Sequence, residues 1–241
     1  MVQADNPERI KELVSRALPE GAEAIGMQFC KMLPEYRRPE VYRELFSLTE
    51  LPTYVTNYRG KPGRQNIGKS DEVLGDELVE LAECGATLCD VMGDYYDPTE
   101  GELTDDPIAI KRQRDLIGRI HAAGGEVLMS SHVLKFTPAE RVLEIARAHA
   151  ARGADISKIV TGAETVEEEI ENLRILALLK KEMKIPFLFL SGGSCNRLSR
   201  RLGGTLGNCM TLCVREYDAL ATPSQPLLSD MVKIRELLSH Q

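Results

Sequence analysis

Short apolar runs alternate with longer amphipathic segments along most of the 241-residue chain. Each run has the length of a strand and is followed by a segment whose apolar residues recur with the helical period. Strands that are apolar on both faces, separated by helices, are typical of a parallel sheet covered by helices. The pattern predicts strands at residues 23–29, 52–58, 86–92, 126–132, 155–162, 185–193 and 209–214, and main helices at residues 71–83, 106–125, 137–153 and 165–183.

The number of these units predicts a closed barrel. An eighth strand could come only from residues 1–4, which precede a helical segment at residues 6–18. Eight strand–helix units in about 250 residues is the size of a TIM barrel. An open doubly wound sheet is the alternative, but no G-x-G-x-x-G follows the first strand to mark a dinucleotide fold. We therefore predict an α/β fold, a TIM (β/α)8 barrel with a vestigial or short first strand, in a single domain over residues 1–241.

Composition and charge argue against two classes of partner. Hydrophobic residues make up 43% of the chain and charged residues 28%, with a net charge of −7 that is spread along the sequence. Nucleic acid is not expected as a partner, because phosphate binding needs a concentrated basic surface. A membrane is not expected either, since no run approaches the roughly 18 apolar residues of a membrane helix. Residues 1–10 lack an apolar signal core, so we expect a cytoplasmic protein.

The six cysteines predict neither a disulfide framework nor a metal site. They never form a C-x-x-C pair, and no histidine lies at the spacing of a zinc ligand. In a cytoplasmic protein such cysteines are expected to be reduced thiols that are buried as small hydrophobic side chains.

In a barrel, the active site forms from the carboxyl ends of the strands and from the loops that follow them. These positions hold groups that could perform carbonyl and proton chemistry, and groups that could bind an anion. They are Arg59, Asp94, His132, Lys158, Arg197, Arg200, Arg201 and residues 221–225. The other histidines are expected at the surface, because they lie in helices or in the tail; they are His121, His149 and His240.

Lys158 and His132 lie on successive predicted strands. Lys158 alternates with Ile156 and Val160, so it should share one side of its strand with two apolar residues. A lysine in a poorly hydrated interior can lose its proton and form a Schiff base with a carbonyl. His132 ends the neighbouring strand, about 4.8 Å away, and an imidazole there could move the proton that an iminium makes acidic. The alternatives are a lysine that extends from a strand end to solvent and a histidine with a capping or core role.

The segment that follows the sixth predicted strand, SGGSCNRLSRRLGG at residues 191–204, carries three arginines. Arg197, Arg200 or Arg201 could pair with a substrate carboxylate or phosphate through two hydrogen bonds. We expect one of them to bind the anion and the other two to be solvated surface charge.

These motifs together resemble the type I 3-dehydroquinate dehydratases, the Schiff-base enzymes of the shikimate pathway and of aromatic amino acid biosynthesis. SSHVLKFTP matches the family's Ser-x-His and Thr-Pro helix start, and ADISKIV matches its Asp-Ile-x-Lys strand. LSRRLGG matches a Ser-Arg-x-x-Gly, TPSQ a closing loop with Pro-x-Gln, and TNYRGKPG a Thr-x-x-Arg strand end. The resemblance covers residues from about 20 onward. It implies that an imine forms on Lys158, that His132 transfers protons, that Arg200 binds the carboxylate, and that Gln225 and Arg59 close over the ring.

The chain departs from the family pattern at several substrate-binding positions. The family's Glu-x-Arg, which contacts substrate hydroxyls, is replaced by Gly26 and Gln28. Met92 stands where a glutamate normally orients the catalytic histidine, and Ala221 replaces a serine of the closing loop. Asp94, two residues after Met92, could supply the missing carboxylate. Because lost hydrogen-bonding groups can change selectivity by orders of magnitude, a different substrate is a serious alternative.

The resemblance implies a carbon–oxygen lyase that dehydrates 3-dehydroquinate to 3-dehydroshikimate. It implies no metal or organic cofactor, because the lysine imine is itself the electron sink, and its partner is a small keto acid. Two alternatives stay open: a Schiff-base dehydratase or aldolase that acts on another keto acid, and a non-catalytic protein that keeps the barrel as a binding module. An incomplete first strand would also expose apolar surface that a second copy could cover, so a homodimer is a candidate assembly.

Overall fold

The computed structural model describes residues 1–239, and strands alternate with helices along most of this range. The described strands form a parallel sheet in the order β1-β2-β3-β4-β5-β6. They are β1 (Ile25–Gln28), β2 (Thr53–Thr56), β3 (Leu88–Met92), β4 (Glu126–His132), β5 (Ile156–Gly162) and β6 (Phe187–Gly192). The helices are α1 (Pro7–Ala17), α2 (Pro39–Phe46), α3 (Asp71–Glu83), α4 (Pro107–Ala122), α5 (Ala139–Arg152), α6 (Val166–Glu182), α7 (Arg197–Leu206) and α8 (Leu228–Ser239).

Helices begin and end at the capping residues that the sequence contains. The side chain of Asn6 caps α1 by accepting the backbone N–H of Arg9 at 2.9 Å. Thr165 and Glu168 form a reciprocal capping box at the start of α6. Gly153 ends α5 with a φ of 100°, a left-handed conformation that favours glycine. The helix bounds therefore lie within a few residues of those predicted from the periodicity.

The internal contacts divide the chain into two compact units. The first unit consists of Met1–Asp90, Arg119–Glu126 and the residues from Leu212 onward. The second consists of Val91–Gly118 and Val127–Thr211. A single domain over residues 1–241 stays a prediction, and residues 240 and 241 lie outside the described part of the chain.

In the first unit, β1 pairs with β2 and β2 pairs with β3, all in parallel. The predicted first strand is reduced to one bridge, between Val2 and Met27. Val2 donates its N–H to the carbonyl of Gly26 at 2.6 Å and accepts the N–H of Gln28 at 3.1 Å. These contacts describe a vestigial strand, as the sequence had suggested.

The strand predicted at residues 209–214 is wrong. Only Val214 in this run forms a bridge, and no regular strand is present there. The physical reason is that Asn208 takes over the pairing: its Oδ1 accepts the N–H of Phe189 at 2.7 Å and its Nδ2 donates to the Phe189 carbonyl at 2.9 Å. A side chain thus replaces backbone at the position where a ladder would start. Within residues 1–239 the fold is a six-stranded, TIM-like parallel α/β fold, and the eight regular strands of a complete barrel are not present.

In the second unit, alternate residues of β5 and β6 face the helices. Ile159, Phe187 and Phe189 pack with buried side chains of α5 and α6 in one hydrophobic cluster. Successive side chains of a strand point to opposite sides. Lys158 and Val160 therefore point away from the helical layer, which is the parity that the sequence predicts.

None of the six cysteines, all of which lie within residues 1–239, forms a disulfide. Four of them are buried, as predicted, whereas Cys195 is partly exposed and Cys209 is exposed. Among residues 1–239, no three His, Cys, Asp or Glu side chains come together as metal ligands would. In the same range, no helix has the length and apolar character needed to cross a membrane.

Candidate active site

Lys158 is a buried lysine on the face of β5 that points away from the helices. Only 4% of the residue is exposed. Its neighbours in the sheet register are Ser130 of β4 and Leu188 of β6. The alternative of a lysine that extends into bulk solvent is therefore wrong, and the amine lies in the protein interior.

His132 ends β4 on the same face of the sheet as Lys158. It is opposite Val160, two residues beyond Lys158 in the register of β4 and β5. At about 3.3 Å per residue along a strand and about 4.8 Å between strands, the Cα atoms of His132 and Lys158 are about 8 Å apart. Two side chains of this length can reach the same small molecule. The imidazole also keeps limited contact with solvent, since 18% of its side chain is exposed.

Glu102 holds the imidazole of His132. Its Oε2 lies 2.6 Å from His132 Nδ1 and accepts the backbone N–H of His132 at 3.1 Å. An ionised carboxylate can only accept hydrogen bonds, so Nδ1 carries a proton and Nε2 is the ring nitrogen that could transfer one. Glu102 was not among the sequence candidates, because it lies in the loop between β3 and α4, away from any strand end.

Met92 and Asp94 lie near the end of β3, and both are buried. One oxygen of Asp94 accepts the N–H of Thr99 at 2.9 Å, within the loop that follows β3. From the sequence, Asp94 is the predicted replacement for the glutamate that is missing at Met92. The structure brings a carboxylate to His132 from Glu102, further along the same loop.

His149 is fully buried, so the prediction that it lies at the surface is wrong. Its Nδ1 and Nε2 lie 3.0 Å from the hydroxyls of Ser157 and Ser131, respectively. The residue continues the buried stripe of α5, and this periodicity is the signal that could have placed it in the core. His121 is exposed, as predicted, and His240 lies outside the described residues.

Arg200 is the most buried of the three candidate arginines, with 7% of the residue exposed. Its Nε donates to the carbonyl of Ser191 at 2.7 Å, at the carboxyl end of β6. Burial lowers the pKa of the Arg200 guanidinium to about 10, so the group still carries its charge at neutral pH. Within residues 1–239 no carboxylate pairs with it, and the charge is available to an anion. Arg197 is exposed, as expected for surface charge, whereas Arg201 is partly buried and donates from Nη1 to the carbonyl of Arg197 at 3.4 Å.

The remaining predicted site residues belong to the first unit. Arg59 donates from Nε and Nη2 to the two oxygens of Asp71, at 2.7 Å each. Gln225 is buried, and its Oε1 lies 3.4 Å from Nε2 of Gln3. Ala221 lies in the preceding turn, where its N–H donates to a carboxylate of that turn at 2.9 Å. Both oxygens of Asp71 therefore accept hydrogen bonds from the Arg59 guanidinium.

A side chain at Gly26 would displace the flexible end of Met1. A Cβ there would lie 2.1 Å from the sulfur of Met1 and 3.3 Å from the ring of Tyr54. Gln28 is partly buried at the end of β1, and its backbone is bound to Val2. At Gly26, where the family resemblance implies a glutamate, the side chain of Met1 therefore occupies the space that a longer residue would need.

Asp90 forms a buried cluster with two tyrosines, and none of the three was among the residues predicted for the site. The hydroxyls of Tyr54 and Tyr58 both donate to Oδ2 of Asp90. Burial and the nearby carboxylate raise the pKa of both tyrosines well above the usual value, so they stay neutral donors. The sequence does indicate such a cluster, because Asp90 interrupts an otherwise apolar strand and a buried carboxylate needs hydrogen-bond donors.

Replacing Tyr58 by phenylalanine is expected to destabilise the protein by about 1.5–3 kcal/mol, because Asp90 loses a hydrogen bond to a buried charge. Urea unfolding followed by circular dichroism measures the loss as a lower midpoint. Tyr217→Phe is the matched control: Tyr217 is 55% exposed and donates to the carbonyl of Gln225 at 2.9 Å. Its removal should cost about 1 kcal/mol or less. Equal losses in both variants would contradict a special contribution from Asp90.

The family model for type I 3-dehydroquinase matches residues 39–241. A 3-dehydroquinate dehydratase from Methanosarcina acetivorans is 27% identical over 238 residues, which cover 96% of this chain and 91% of the relative. One from Aromatoleum aromaticum is 24% identical over 190 residues, which cover 78% and 67% of the two chains. Alignments with relatives from Lactiplantibacillus plantarum and Geobacillus thermodenitrificans span 65% and 62% of those proteins, somewhat less than two thirds of their length.

Among solved structures, the 3-dehydroquinate dehydratase of Geobacillus kaustophilus has a similar fold, with a TM-score of 0.83 and 16% identity. The superposition covers 99% of this chain and 89% of that one. At this identity the likeness concerns the fold alone, whereas the family model extends over most of the sequence. The chain therefore belongs to the type I 3-dehydroquinase family.

Proposed function

We propose that this protein is a carbon–oxygen lyase that dehydrates 3-dehydroquinate to 3-dehydroshikimate through an imine on Lys158. The observation that carries the proposal is the buried Lys158 on the same face as His132, whose imidazole is held by Glu102. Membership of the type I 3-dehydroquinase family and the curated relatives support the same activity. A purely binding role would not require a buried amine beside a held imidazole.

The reaction starts with attack of the unprotonated Lys158 Nζ on the ring ketone. Loss of the carbonyl oxygen as water gives an iminium, which acts as the electron sink. His132 Nε2 removes a proton from the carbon next to the iminium, and the resulting enamine expels the hydroxyl one carbon further along. The imidazolium returns the proton to the departing hydroxyl as water. Hydrolysis of the conjugated iminium restores Lys158, so the net change is loss of one water.

Arg200 is proposed to bind the substrate carboxylate. The Nε of Arg200 donates to the carbonyl of Ser191. Ser191 lies three residues beyond Leu188, which is the sheet neighbour of Lys158. Three residues of a strand span about 10 Å, so the long side chains of Lys158 and Arg200 can reach the ketone and the carboxylate of one ring. Closure over the ring by Gln225 and Arg59 stays a prediction from the family resemblance.

A second candidate function is the same lysine chemistry on a different keto acid. The observation that favours it is the loss of hydrogen-bonding groups at positions 26 and 92. The thioether of Met1 lies beside Gly26, and Met92 is a buried apolar side chain. Such a site should bind a less hydroxylated ring better than the parent family does.

Borohydride trapping tests the proposal and separates the two candidates. Incubation with 3-dehydroquinate followed by reduction should give one covalent adduct, which peptide mass spectrometry locates on Lys158. The Lys181→Ala variant is the control, because Lys181 is an exposed lysine in the last turn of α6. If other keto acids label Lys158 and 3-dehydroquinate does not, the second candidate is favoured. Absence of labelling with every ketone would contradict both.

We also propose that residues 1–3 and 209–214 take the places of the two missing strands of an eight-stranded barrel. Support comes from the bridge of Val2 to Met27 and from Cys209, whose N–H donates to the carbonyl of Phe187 at 2.9 Å. A cytoplasmic location and a homodimer belong to the same proposal. The cytoplasmic location is supported by the six cysteines, none of which is in a disulfide.

A further inference from the structure

We propose that Glu102 is the positioning residue for His132, so that the loop between β3 and α4 (residues 93–106, hereafter the β3–α4 loop) supplies the carboxylate that the strand lacks. The inference rests on the proposed function, because it concerns the proton-transfer group of that reaction. Residue 92 at the end of β3, where the family resemblance implies a glutamate, is a methionine. Glu102 performs the same orienting task from a different element.

The contact between Glu102 and His132 involves two donors on one oxygen. Oε2 accepts from Nδ1 at 2.6 Å and from the backbone N–H at 3.1 Å. Only 14% of the Glu102 side chain and 18% of the His132 side chain are exposed, so little water competes for these bonds. The imidazole is thereby fixed in ring orientation and in tautomer, with Nε2 free of this contact. Lys158 lies on the neighbouring strand β5, two residues before Val160, the sheet partner of His132.

The backbone of Glu102 is held in an unfavourable conformation. Its φ is 54°, in the left-handed region that non-glycine residues rarely adopt, directly after Gly101 at 85°. The hydroxyl of Ser131, the residue before His132, donates to the Glu102 carbonyl at 2.6 Å. A strained residue at the tip of a long loop persists only where its surroundings fix it, and such residues concentrate at functional sites.

Gly93 allows the β3–α4 loop to return onto the end of β4. A Cβ at Gly93 would lie 2.6 Å from the carbonyl oxygen of Glu102 and 3.0 Å from the hydroxyl of Ser131. Met92 thus lacks a carboxylate at the end of the strand, and Gly93 next to it leaves the space in which the backbone of Glu102 lies.

A buried guanidinium fixes both ends of the β3–α4 loop. Arg152 of α5 is 5% exposed and donates to the carbonyl of Gly93 at 2.6 Å and to the carbonyl of Thr104. It also donates to Oε1 of Gln113 at 3.0 Å, and Nε2 of Gln113 donates to the carbonyls of Gly93 and Tyr95. A loop anchored at both ends by buried donors can place one carboxylate reproducibly.

The test compares two substitutions at Glu102 that keep the loop intact. Glu102→Asn suits the left-handed backbone, since asparagine adopts it readily, but its side chain is one carbon too short to reach Nδ1. Glu102→Gln keeps the length and one acceptor without the charge. For the Asn variant we expect kcat to fall about 10- to 100-fold, with KM changed less than about threefold, whereas the Gln variant retains more activity. Glu100→Gln is the matched control, because Glu100 is an exposed carboxylate of the same loop that pairs with Lys135.

A spectroscopic measurement decides the question independently of turnover. In the full-length protein labelled with ¹⁵N-histidine, wild-type His132 should show the Nδ1–H tautomer, and the Asn variant should shift toward Nε2–H. An unchanged tautomer signal, or an Asn variant with wild-type kcat, would overturn the positioning role. If the wild-type protein fails to dehydrate 3-dehydroquinate, the proposed function is contradicted, yet the tautomer comparison still decides whether Glu102 positions His132. Circular dichroism of both variants verifies that the fold is retained.

Discussion

Replacing Lys158 by methionine is expected to lower kcat for the dehydration of 3-dehydroquinate by at least about 10⁴-fold, because the covalent route disappears with the amine. Without the iminium, the carbon next to the ketone loses the electron sink that makes its proton acidic. Methionine has a similar length and volume and is apolar, so it suits a residue that is 4% exposed. The fold should therefore survive the change. Formation of the conjugated enone, followed by ultraviolet absorbance, measures the rate.

The controls for this variant separate chemistry from folding. Lys181→Ala should retain the wild-type rate, since Lys181 is exposed at the end of α6. Thermal unfolding should show that the Lys158→Met protein melts close to the wild type. Residual activity within about tenfold of the wild type in a well-folded variant would remove the basis for imine chemistry.

Replacing His132 by alanine is expected to lower kcat by about 10²- to 10⁴-fold, the contribution typical of a positioned acid–base group. The imine itself should still form, because Lys158 supplies the nucleophile. Borohydride should therefore trap a substrate adduct in this variant while product formation is slow. Exchange of the proton next to the carbonyl with deuterated water should fall together with kcat.

The other histidines provide the comparison for His132→Ala. His121→Ala should leave kcat within about twofold of the wild type, since His121 is exposed on α4. His149→Ala should instead lower stability, because His149 joins Ser131 and Ser157 in the core. Loss of trapping in the His132 variant would show that the histidine is needed before the imine forms, contrary to the proposed order of steps.

The alternation of strands and helices could be predicted from the sequence because apolar periodicity and capping residues are local signals. Gly153 and the Thr165–Glu168 pair mark helix ends without reference to the rest of the chain. The run at residues 209–214 is apolar enough for a strand, yet it failed as a prediction. Its pairing depends on Asn208, whose amide bonds to Phe189 only once both segments are in place. A contact of this kind leaves no periodic signal.

The positions of Lys158 and His132 could be predicted because strand parity and strand ends determine them. Glu102 could not, since its approach to His132 depends on a long loop with a left-handed residue and a distant anchor at Arg152. The crowding at Gly26 was also invisible, because Met1 reaches it from the start of the chain. Motif comparison identified what was missing from the family pattern but could not show what had replaced it.

The amide of Asn208 has a consequence for self-association. β6 is the last strand in the sheet order, and an edge strand with open hydrogen-bonding groups can recruit a strand from another molecule. At Phe189 both groups are already occupied by one side chain. At this position, therefore, β6 has no backbone group open to a strand of another molecule.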